Sequence, residues 1–346
     1  MITEPRRCSV GSLAAGEQPG GTAPHARSWV LVEQEGPWGH AAVRESRLSA
    51  GPAERLLAAA AAARVRVGLI RQVGGRPDPT HTTRRVFVAS TTPGSARLVR
   101  LELGDPDELD ELDLPAIAAG RLPTGTPVPE GLLAVCTNGR RDLCCALDGR
   151  RLATEVAGLL GEIAPGLPAV WETSHLGGHR FAPTGVLLPS GVVLGRLDAE
   201  SAVRAWRAAS AGQLPTGLLG AYRGRSTFPA AGQVAEATVR TQAGVEGLDD
   251  LMVHPATEEG LPTRDDRWQV RHRDGRAWTV RARPVASEQF RPASCATVDS
   301  AVTRWETGVE PVGRGGEPLV RGGTPTSSVE RVLNVASGRE VEPSAG

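Results

Sequence analysis

The segment Leu132-Leu-Ala-Val-Cys136-Thr-Asn-Gly-Arg-Arg-Asp-Leu-Cys144-Cys145 joins a short apolar run to a polar loop, and it carries three of the five cysteines in the chain. The apolar run lacks the period of about 3.6 residues that marks an amphipathic helix, so we predict a buried strand that ends at Cys136. Loops that follow strands in α/β proteins often carry functional residues. The segment therefore predicts a strand with candidate metal ligands at its end.

A second strand-and-loop segment is Trp171-Glu-Thr-Ser-His175-Leu-Gly-Gly-His179-Arg-Phe-Ala, which holds two of the seven histidines. Their spacing of four residues puts both rings on one face if the segment is helical. The Gly-Gly pair between them favours a tight loop equally well, because glycine lets the backbone approach a bulky group. Two thiols and two imidazoles together complete one four-coordinate metal shell.

The elements predicted around these segments follow the order strand, helix, strand, hairpin, helix, which is the order of a thioredoxin-like sheet. We expect helices over residues 147–160 and 198–211, a strand over 170–173, and hairpin strands over 186–188 and 192–194. Asp198 is the predicted N-cap of the last helix. The earlier part of the chain has a similar series, with strands at 29–33, 65–70, 85–89 and 97–103 and a helix over 52–63, so an internal duplication is one interpretation.

We therefore predict an α/β protein with four regions. They are an N-terminal α/β domain (1–128), a thioredoxin-like domain (129–215), an extension (216–306), and a disordered tail rich in Gly, Pro and Ser (307–346). The extension contains a predicted β-hairpin around residues 268–281. An Arg-Gly-Gly sequence at 321–323 is interpreted as part of that solvated tail.

Composition excludes several classes of function. Acidic and basic residues number 39 each, so no net charge attracts nucleic acid or an anionic membrane. The N-terminus lacks the apolar core of a signal peptide, and the longest apolar run is far shorter than the ~20 residues of a membrane span. An odd cysteine count without an export signal argues against a disulfide framework. We expect a cytoplasmic protein whose cysteines are available as thiolates.

Three interpretations of the four ligands stay open on spacing alone. Eight residues separate Cys136 from Cys145 and twenty-nine intervene before His175, which is wider than familiar zinc spacings and suits a larger object than one ion. The second interpretation, a dithiol enzyme, lacks a Cys-X-X-Cys pair, and a disulfide between the adjacent Cys144 and Cys145 would be strained. The third interpretation is two buried cysteines and two unrelated histidines.

The pattern Cys136-X8-Cys145 with Arg-Asp inside it, followed by Ser-His175-X-Gly-Gly-His179-Arg-Phe-Ala, resembles the sucrase/ferredoxin-like family, the thioredoxin-like 2Fe–2S ferredoxins. The resemblance is strongest over residues 130–200 and extends more loosely to 21–23, 29–33, 36–39 and 291–295. It implies that Cys136, Cys145, His175 and His179 hold a 2Fe–2S cluster. Because the family cysteine stands three residues after the Asp, it selects Cys145 over Cys144.

The resemblance also implies a function. A 2Fe–2S cluster moves single electrons, so the chain would be an electron carrier with a redox partner such as a ferredoxin reductase, rather than an enzyme with its own substrate. Two thiolates leave the oxidised site neutral, whereas four leave it doubly negative, so the reduction potential should be raised. An imidazole ligand can lose its second proton, which predicts a pH-dependent potential. The alternatives are a zinc-stabilised binding module and a thiol-dependent reductase using Cys144 or Cys145.

The remaining polar residues receive provisional roles. Arg140, Arg141 and Arg180 either donate to the cluster sulfides, dock an acidic partner or are merely solvated, while Asp142 is expected to fix its own loop. Glu172 is expected to be ordinary strand decoration and Trp171 a core residue.

Two thiols and five histidines have no motif of their own. Cys8 is predicted to be a mobile N-terminal thiol and Cys295 a buried or loop thiol, although either could replace a histidine ligand. The isolated histidines are interpreted as ordinary surface or core residues: His25, His40, His81, His254 and His272.

Overall fold

A computed structural model of the protein describes residues 7–74, 83–256 and 266–312. Strands and helices alternate along the first two thirds of the chain, which confirms the predicted α/β class. The strands are β1 (Ser28–Glu33), β2 (Arg66–Gln72), β3 (Arg84–Ser90), β4 (Arg97–Leu103), β5 (Thr126–Pro127), β6 (Leu132–Cys136), β7 (Glu162–Ala164), β8 (Leu167–Pro168), β9 (Val170–Thr173), β10 (Gly185–Leu188), β11 (Val192–Leu194), β12 (Tyr222–Arg225), β13 (Leu251–Pro255), β14 (Arg267–His272), β15 (Ala277–Pro292) and β16 (Asp299–Val312). The helices are α1 (Cys8–Ala14), α2 (Ala50–Ala63), α3 (Leu114–Ala118), α4 (Arg150–Leu160), α5 (Ala199–Ser210) and α6 (Ala230–Ala243).

Ten strands form one mixed sheet in the order β12-β11-β10-β6-β9-β2-β1-β3-β4-β5. In its second half, β6 runs parallel to β9 and antiparallel to β10, which pairs with β11. In its first half, β1 runs parallel to β2 and antiparallel to β3, which pairs with β4. The two halves therefore share one strand order, and the antiparallel pair β2–β9 joins them into a continuous sheet.

The alternation of side chains along the central strands divides the core between the two faces of this sheet. Val30 and Val32 of β1 pack against α2 and α3, and Leu133 and Val135 of β6 pack against α4 and α5. The opposite face carries one apolar cluster to which both halves contribute, including Trp171. Trp171 is fully buried and packs edge-on against Phe87 at 5.3 Å between ring centroids, so the prediction that it is a core residue is confirmed.

A second sheet, β13-β14-β15-β16, is antiparallel and packs against α6. The predicted hairpin is present as β14 and the first part of β15. β15 continues far beyond it to Pro292, where the loop 293–298 leads into β16. This long hairpin brings its tip back to the N-terminal helix α1, which also contacts β15.

Several predicted boundaries are corrected by the structure. Residues 8–14, where no element is predicted, form α1, and residues 126–127, also outside the predicted strands, form β5 at the sheet edge. Residues 307–312, expected in a disordered tail, belong to β16, because they pair with the start of β15. The rest of the tail with its Arg-Gly-Gly sequence, and His81, lie outside the described residues. The division into domains stays a prediction.

Candidate metal centre

The predicted ligands follow two adjacent parallel strands. Cys136 is the last residue of β6 and lies opposite Thr173, the last residue of β9. His175 comes two residues later, and His179 begins a single turn of 3-10 helix, His179–Phe181. Carboxyl ends of parallel strands meet at one edge of a sheet, so the topology brings both motifs to the same place.

Cys136 is buried and sits in a nest of donors. Its pKa is lowered well below the ordinary value, first by the thiol of Cys145 and then, against the opposing effect of burial, by the ring of His175 and the backbone N–H groups of Leu176 and Asn138. These donors favour the thiolate form of Cys136. A sulfur held in this way is prepared to act as a metal ligand.

Cys145 opens a π-helical turn, Cys145–Gly149, that leads directly into α4. Because it donates to the Cys136 thiolate and is buried, the pKa of its own thiol is raised well above the ordinary value. The two sulfurs thus share one proton, which the Cys145 thiol donates to Cys136. Cys144, although adjacent, belongs to a different group of side chains.

The two histidines face each other with ring centroids 5.5 Å apart. Nδ1 of His175 is buried and has no hydrogen-bond partner among the residues that the structure describes. Nδ1 of His179 lies 3.1 Å from Oδ2 of Asp142. Since a carboxylate only accepts, this contact leaves Nε2 of His179 as the nitrogen free to bind a metal, an arrangement common among histidine ligands.

Asp142 fixes the cysteine loop, as predicted. Its Oδ1 accepts from the backbone N–H of Cys144 at 3.0 Å, and its Oδ2 accepts from the N–H of Cys295 at 3.0 Å and the hydroxyl of Ser294 at 3.0 Å. Burial alone would raise the pKa of Asp142, but these donors and the nearby His179 lower it.

A second group of thiols surrounds this carboxylate and was missed by the sequence motifs. Sγ of Cys144 lies 3.3 Å from Sγ of Cys295 and 3.7 Å from Sγ of Cys8. Cys8 is completely buried at the start of α1, so the prediction of a mobile thiol is wrong. We call Cys8, Asp142, Cys144 and Cys295 the Cys8 site, and the four predicted ligands the Cys136 site.

The protons of the Cys8 site are shared unequally among its sulfurs. The pKa of Cys144 is lowered to about 5, chiefly because the thiol of Cys8 and the hydroxyl of Ser9 donate to its sulfur. The pKa of Cys8 is raised because its proton is engaged with Cys144 and because it is buried. Burial, above all, raises the pKa of Cys295 to about 11.

Two guanidinium groups hold the histidine loop, that of the buried Arg223 and that of the partly buried Arg66, and neither was predicted. Arg66 donates to the carbonyl of His175 at 3.0 Å, and Arg223 donates to the carbonyl of Gly177 at 2.9 Å. Burial lowers the pKa of Arg66, and it lowers that of Arg223 to about 9, while the charge of Cys136 acts in the opposite direction on both. Both groups therefore place positive charge near the Cys136 site.

Two of the three candidate sulfide donors, Arg141 and Arg180, bond other side chains. Arg180 bonds Glu17 at 2.8 Å and Arg141 bonds the ring of His40 at 2.8 Å. Glu17, which is buried, also accepts two bonds of 2.7 Å from Arg291 of β15. This carboxylate therefore ties the histidine loop to the long hairpin.

Glu172 is not the exposed strand residue that we expected. It is buried, accepts from Arg71 of β2 at 2.6 Å and from the hydroxyl of Thr137 at 2.7 Å, and so links the two halves of the large sheet next to the site. Burial of a charge is tolerated here because Arg71 supplies the opposite charge.

The two sites differ in size. Among the described residues, the Cys8 site is the group of ligands whose atoms all lie within 4.8 Å of one another, as binding one metal ion requires. The Cys136 site forms no such compact group in the part of the chain that the structure describes.

The comparisons with known proteins agree with the motifs. The family model for sucrase/ferredoxin-like proteins matches residues 19–205, which is more than half of the chain. No curated protein and no solved structure matches the chain. Within the described residues, no helix has both the length and the apolar character needed to cross a membrane. The matched residues include the whole Cys136 site, and the chain belongs to the sucrase/ferredoxin-like family.

Proposed function

We propose that the protein is an electron carrier whose 2Fe–2S cluster is held by Cys136, Cys145, His175 and His179. The observation that carries the proposal is the pairing of the Cys136 and Cys145 sulfurs beside His175, a partly exposed residue whose Nδ1 atom is buried and has no partner among the described residues. A buried imidazole nitrogen without a partner is costly in a folded protein. A metal ligand role explains why it is tolerated.

The donor set fits a 2Fe–2S cluster better than a single zinc ion. Two thiols and two imidazoles are known ligand types for such clusters, with the histidines on one iron in Rieske-type sites. The four groups are too widely spread to surround one ion as they stand, which weighs against the zinc-stabilised module. When bound, such a cluster accepts and returns one electron.

The protein residues around the site set how easily that electron is held. Arg66 and Arg223 bring positive charge to the carbonyls of the histidine loop, which favours the more negative, reduced state. Asp142 holds the proton of His179 at Nδ1, so removal of that proton from the His179–Asp142 pair is the step that would couple the electron to pH.

Exposure indicates where a partner would approach. Cys136 and Cys145 are buried, whereas His175 and His179 are partly exposed, and the His179 side chain keeps 15% of its accessible surface. Electrons and protons would therefore enter through the imidazole edges. We propose a cytoplasmic redox partner protein of the ferredoxin-reductase type, and no nucleic acid or membrane partner.

Replacement of either histidine by cysteine tests the proposal. His175→Cys and His179→Cys should each keep a cluster but lower its reduction potential by on the order of 100 mV and weaken its pH dependence, because a thiolate adds negative charge and carries no second proton. Protein-film voltammetry between pH 6 and 9 measures both effects. The control is His254→Cys on an exposed position of β13, which should change neither.

The choice between adjacent cysteines is tested in the same way. Cys144→Ser should leave the visible spectrum of the cluster intact, since Cys145 is the partner of Cys136. Loss of the spectrum would reverse the assignment. A thiol-dependent reductase would instead lose its activity on this substitution while containing no iron.

A further inference from the structure

We propose that the Cys8 site binds one zinc ion through the thiolates of Cys8, Cys144 and Cys295 and a carboxylate oxygen of Asp142, separately from the Cys136 site. The proposal does not depend on the function proposed above. It rests on three thiols and one carboxylate that converge from three distant parts of the chain and whose ligand atoms lie within 4.8 Å of one another.

The distances are those of a slightly contracted tetrahedron. Around a zinc ion with Zn–S bonds of about 2.3 Å, neighbouring sulfurs stand about 3.8 Å apart and a sulfur and an oxygen about 3.6 Å apart. The three Sγ–Sγ distances are 3.3, 3.7 and 3.7 Å. Oδ1 of Asp142 lies 3.5 Å from Sγ of Cys8 and 3.1 Å from Sγ of Cys295. Outward shifts of a few tenths of an ångström thus admit the ion.

The two carboxylate oxygens of Asp142 have different hydrogen-bond partners. Oδ2 lies 3.6 Å from Sγ of Cys8, but it is already engaged by the Ser294 hydroxyl, the Cys295 N–H and Nδ1 of His179. Oδ1 has a single N–H donor, that of Cys144, and otherwise faces the sulfurs. Oδ1 is therefore the oxygen left to bind the ion.

Donors outside the four ligands already orient the sulfurs. The hydroxyl of Ser9 donates to Sγ of Cys144 at 3.2 Å, and the backbone N–H of Cys8 donates to Sγ of Cys295 at 3.4 Å. Such outer hydrogen bonds fix metal ligands and stabilise thiolate charge. The site therefore has both a ligand set and its supporting contacts.

Zinc is the ion that this chemistry favours. Three sulfurs select a soft or borderline metal, and tetrahedral sites with three thiolates are typical of structural zinc. Binding releases to solvent one proton from each thiol that was protonated, and no electron moves. The ion would fasten α1 and the tip of the β15–β16 hairpin to the loop that carries Cys145.

Element-selective measurements on the full chain test the proposal. The protein is purified anaerobically from cells supplied with iron and zinc, and both metals are assayed together with Zn K-edge X-ray absorption. We expect about one zinc per chain, with three sulfurs near 2.3 Å and one oxygen near 2.0 Å. Cys8→Ser and Cys295→Ser should each lower zinc at least about fivefold while iron and the visible spectrum stay unchanged.

The matched control is Cys136→Ser, which should lose iron and keep zinc. Zinc at the normal level in both Cys8→Ser and Cys295→Ser would overturn the proposal. So would wild-type protein without zinc, including protein in which Cys144 and Cys295 are found as a disulfide. X-ray absorption showing two nitrogens and two sulfurs would place zinc in the Cys136 site and overturn it as well. Absence of iron with an S3O zinc shell would contradict the electron-carrier proposal alone.

Discussion

Arg66 and Arg223 approach the Cys136 site from inside the protein through the backbone of the histidine loop. Arg66 also lies over the ring of Trp29, at 5.2 Å from its centroid, so the charge is held between a strand of the sheet and the loop. A positive charge held in a partly buried place is screened less by salt than an exposed one. Its effect on a nearby redox centre should therefore persist at physiological ionic strength.

Arg66→Gln should lower the reduction potential of the bound cluster by on the order of 50 mV, because it removes the guanidinium charge beside the His175 carbonyl and keeps a polar side chain. Voltammetry at constant pH measures the shift. Arg97→Gln, on an exposed position of β4 four strands away from β9, is the control and should leave the potential unchanged. Equal reduction potentials in the wild type, Arg66→Gln and Arg97→Gln would show that Arg66 has only a structural role.

Glu17 is a charged residue whose contribution can be separated by pH. Burial raises its pKa, but Arg291 and Arg180 outweigh that effect and lower it. A carboxyl with a depressed pKa stabilises the fold above its unfolded pKa of about 4.3, and the stabilisation is lost as the pH falls through the lower folded value. Glu17→Gln should therefore cost about 3 kcal/mol at pH 7.

The difference between Glu17→Gln and the wild type should shrink as the pH falls below the unfolded pKa of about 4.3, where the unfolded wild-type chain begins to bind a proton, and should vanish below the lower folded pKa. Urea unfolding at a series of pH values measures it. Glu155→Gln, on the exposed face of α4, should stay within about 0.5 kcal/mol of the wild type throughout. A cost that is constant from pH 7 to pH 3 would contradict the ion-pair explanation.

At the scale of elements, the π-helical turn Cys145–Gly149 lies close against the end of β6. A methyl group at Gly149 would come within 2.1 Å of the carbonyl oxygen of Cys136. Only glycine allows the turn to reach the strand, and this contact places the Cys145 thiol beside Cys136. The start of α4 and the Cys136 site are thus formed by the same close approach.

Gly149→Ala should destabilise the fold by about 1–3 kcal/mol and reduce the iron content, because the turn must move away from β6. Gly158→Ala, in the adjoining helix α4, is the control: a methyl group there meets no atom within 4 Å, and it should stabilise the fold by up to about 1 kcal/mol. Urea unfolding and iron assays measure both effects. A normal iron content in Gly149→Ala would show that the approach is not needed.

The two sites differ in how well the sequence predicts them. Cys136 and His175 end predicted strands, and their neighbours form compact motifs, so local patterns were enough to propose the Cys136 site. Cys8 and Cys295 lie at opposite ends of the described chain and meet Cys144 only because the β15–β16 hairpin folds back. A hint existed in the looser family resemblance at residues 291–295, but spacing alone carries no information on such long-range contacts.

The same distinction holds for the strands and helices. The second-half hairpin and the N-cap of α5 at Asp198 were predicted correctly, because turn residues and capping residues act locally. The pairing of β2 with β9, and the buried Arg71–Glu172 pair beside it, could not be predicted. They depend on how the two halves of the sheet meet.

At the scale of the whole molecule, the candidate centres join segments that are far apart in the sequence. The Cys136 site connects β6, the π-helical turn and the histidine loop, and the Cys8 site connects that turn's loop to α1 and the hairpin tip. Ligands that bind only the folded state add their binding free energy to stability. Metal content should therefore govern the unfolding of the entire chain.

Removal of the metals by anaerobic acid precipitation and refolding with chelator should lower the free energy of unfolding by at least about 3 kcal/mol. Denaturant unfolding of metal-loaded and metal-free protein gives the difference. The Cys136→Ser variant should show a smaller difference, since it can lose only zinc. Identical stabilities of loaded and stripped wild-type protein would contradict a structural role for either centre.

The 2Fe–2S cluster proposed for the Cys136 site is tested most directly by an anaerobic visible spectrum of the protein before and after dithionite. Iron and acid-labile sulfide are assayed on the same sample. We predict about two irons and two sulfides per chain and absorption that bleaches on reduction. A colourless protein without iron, purified anaerobically from cells able to assemble such clusters, would contradict the claim.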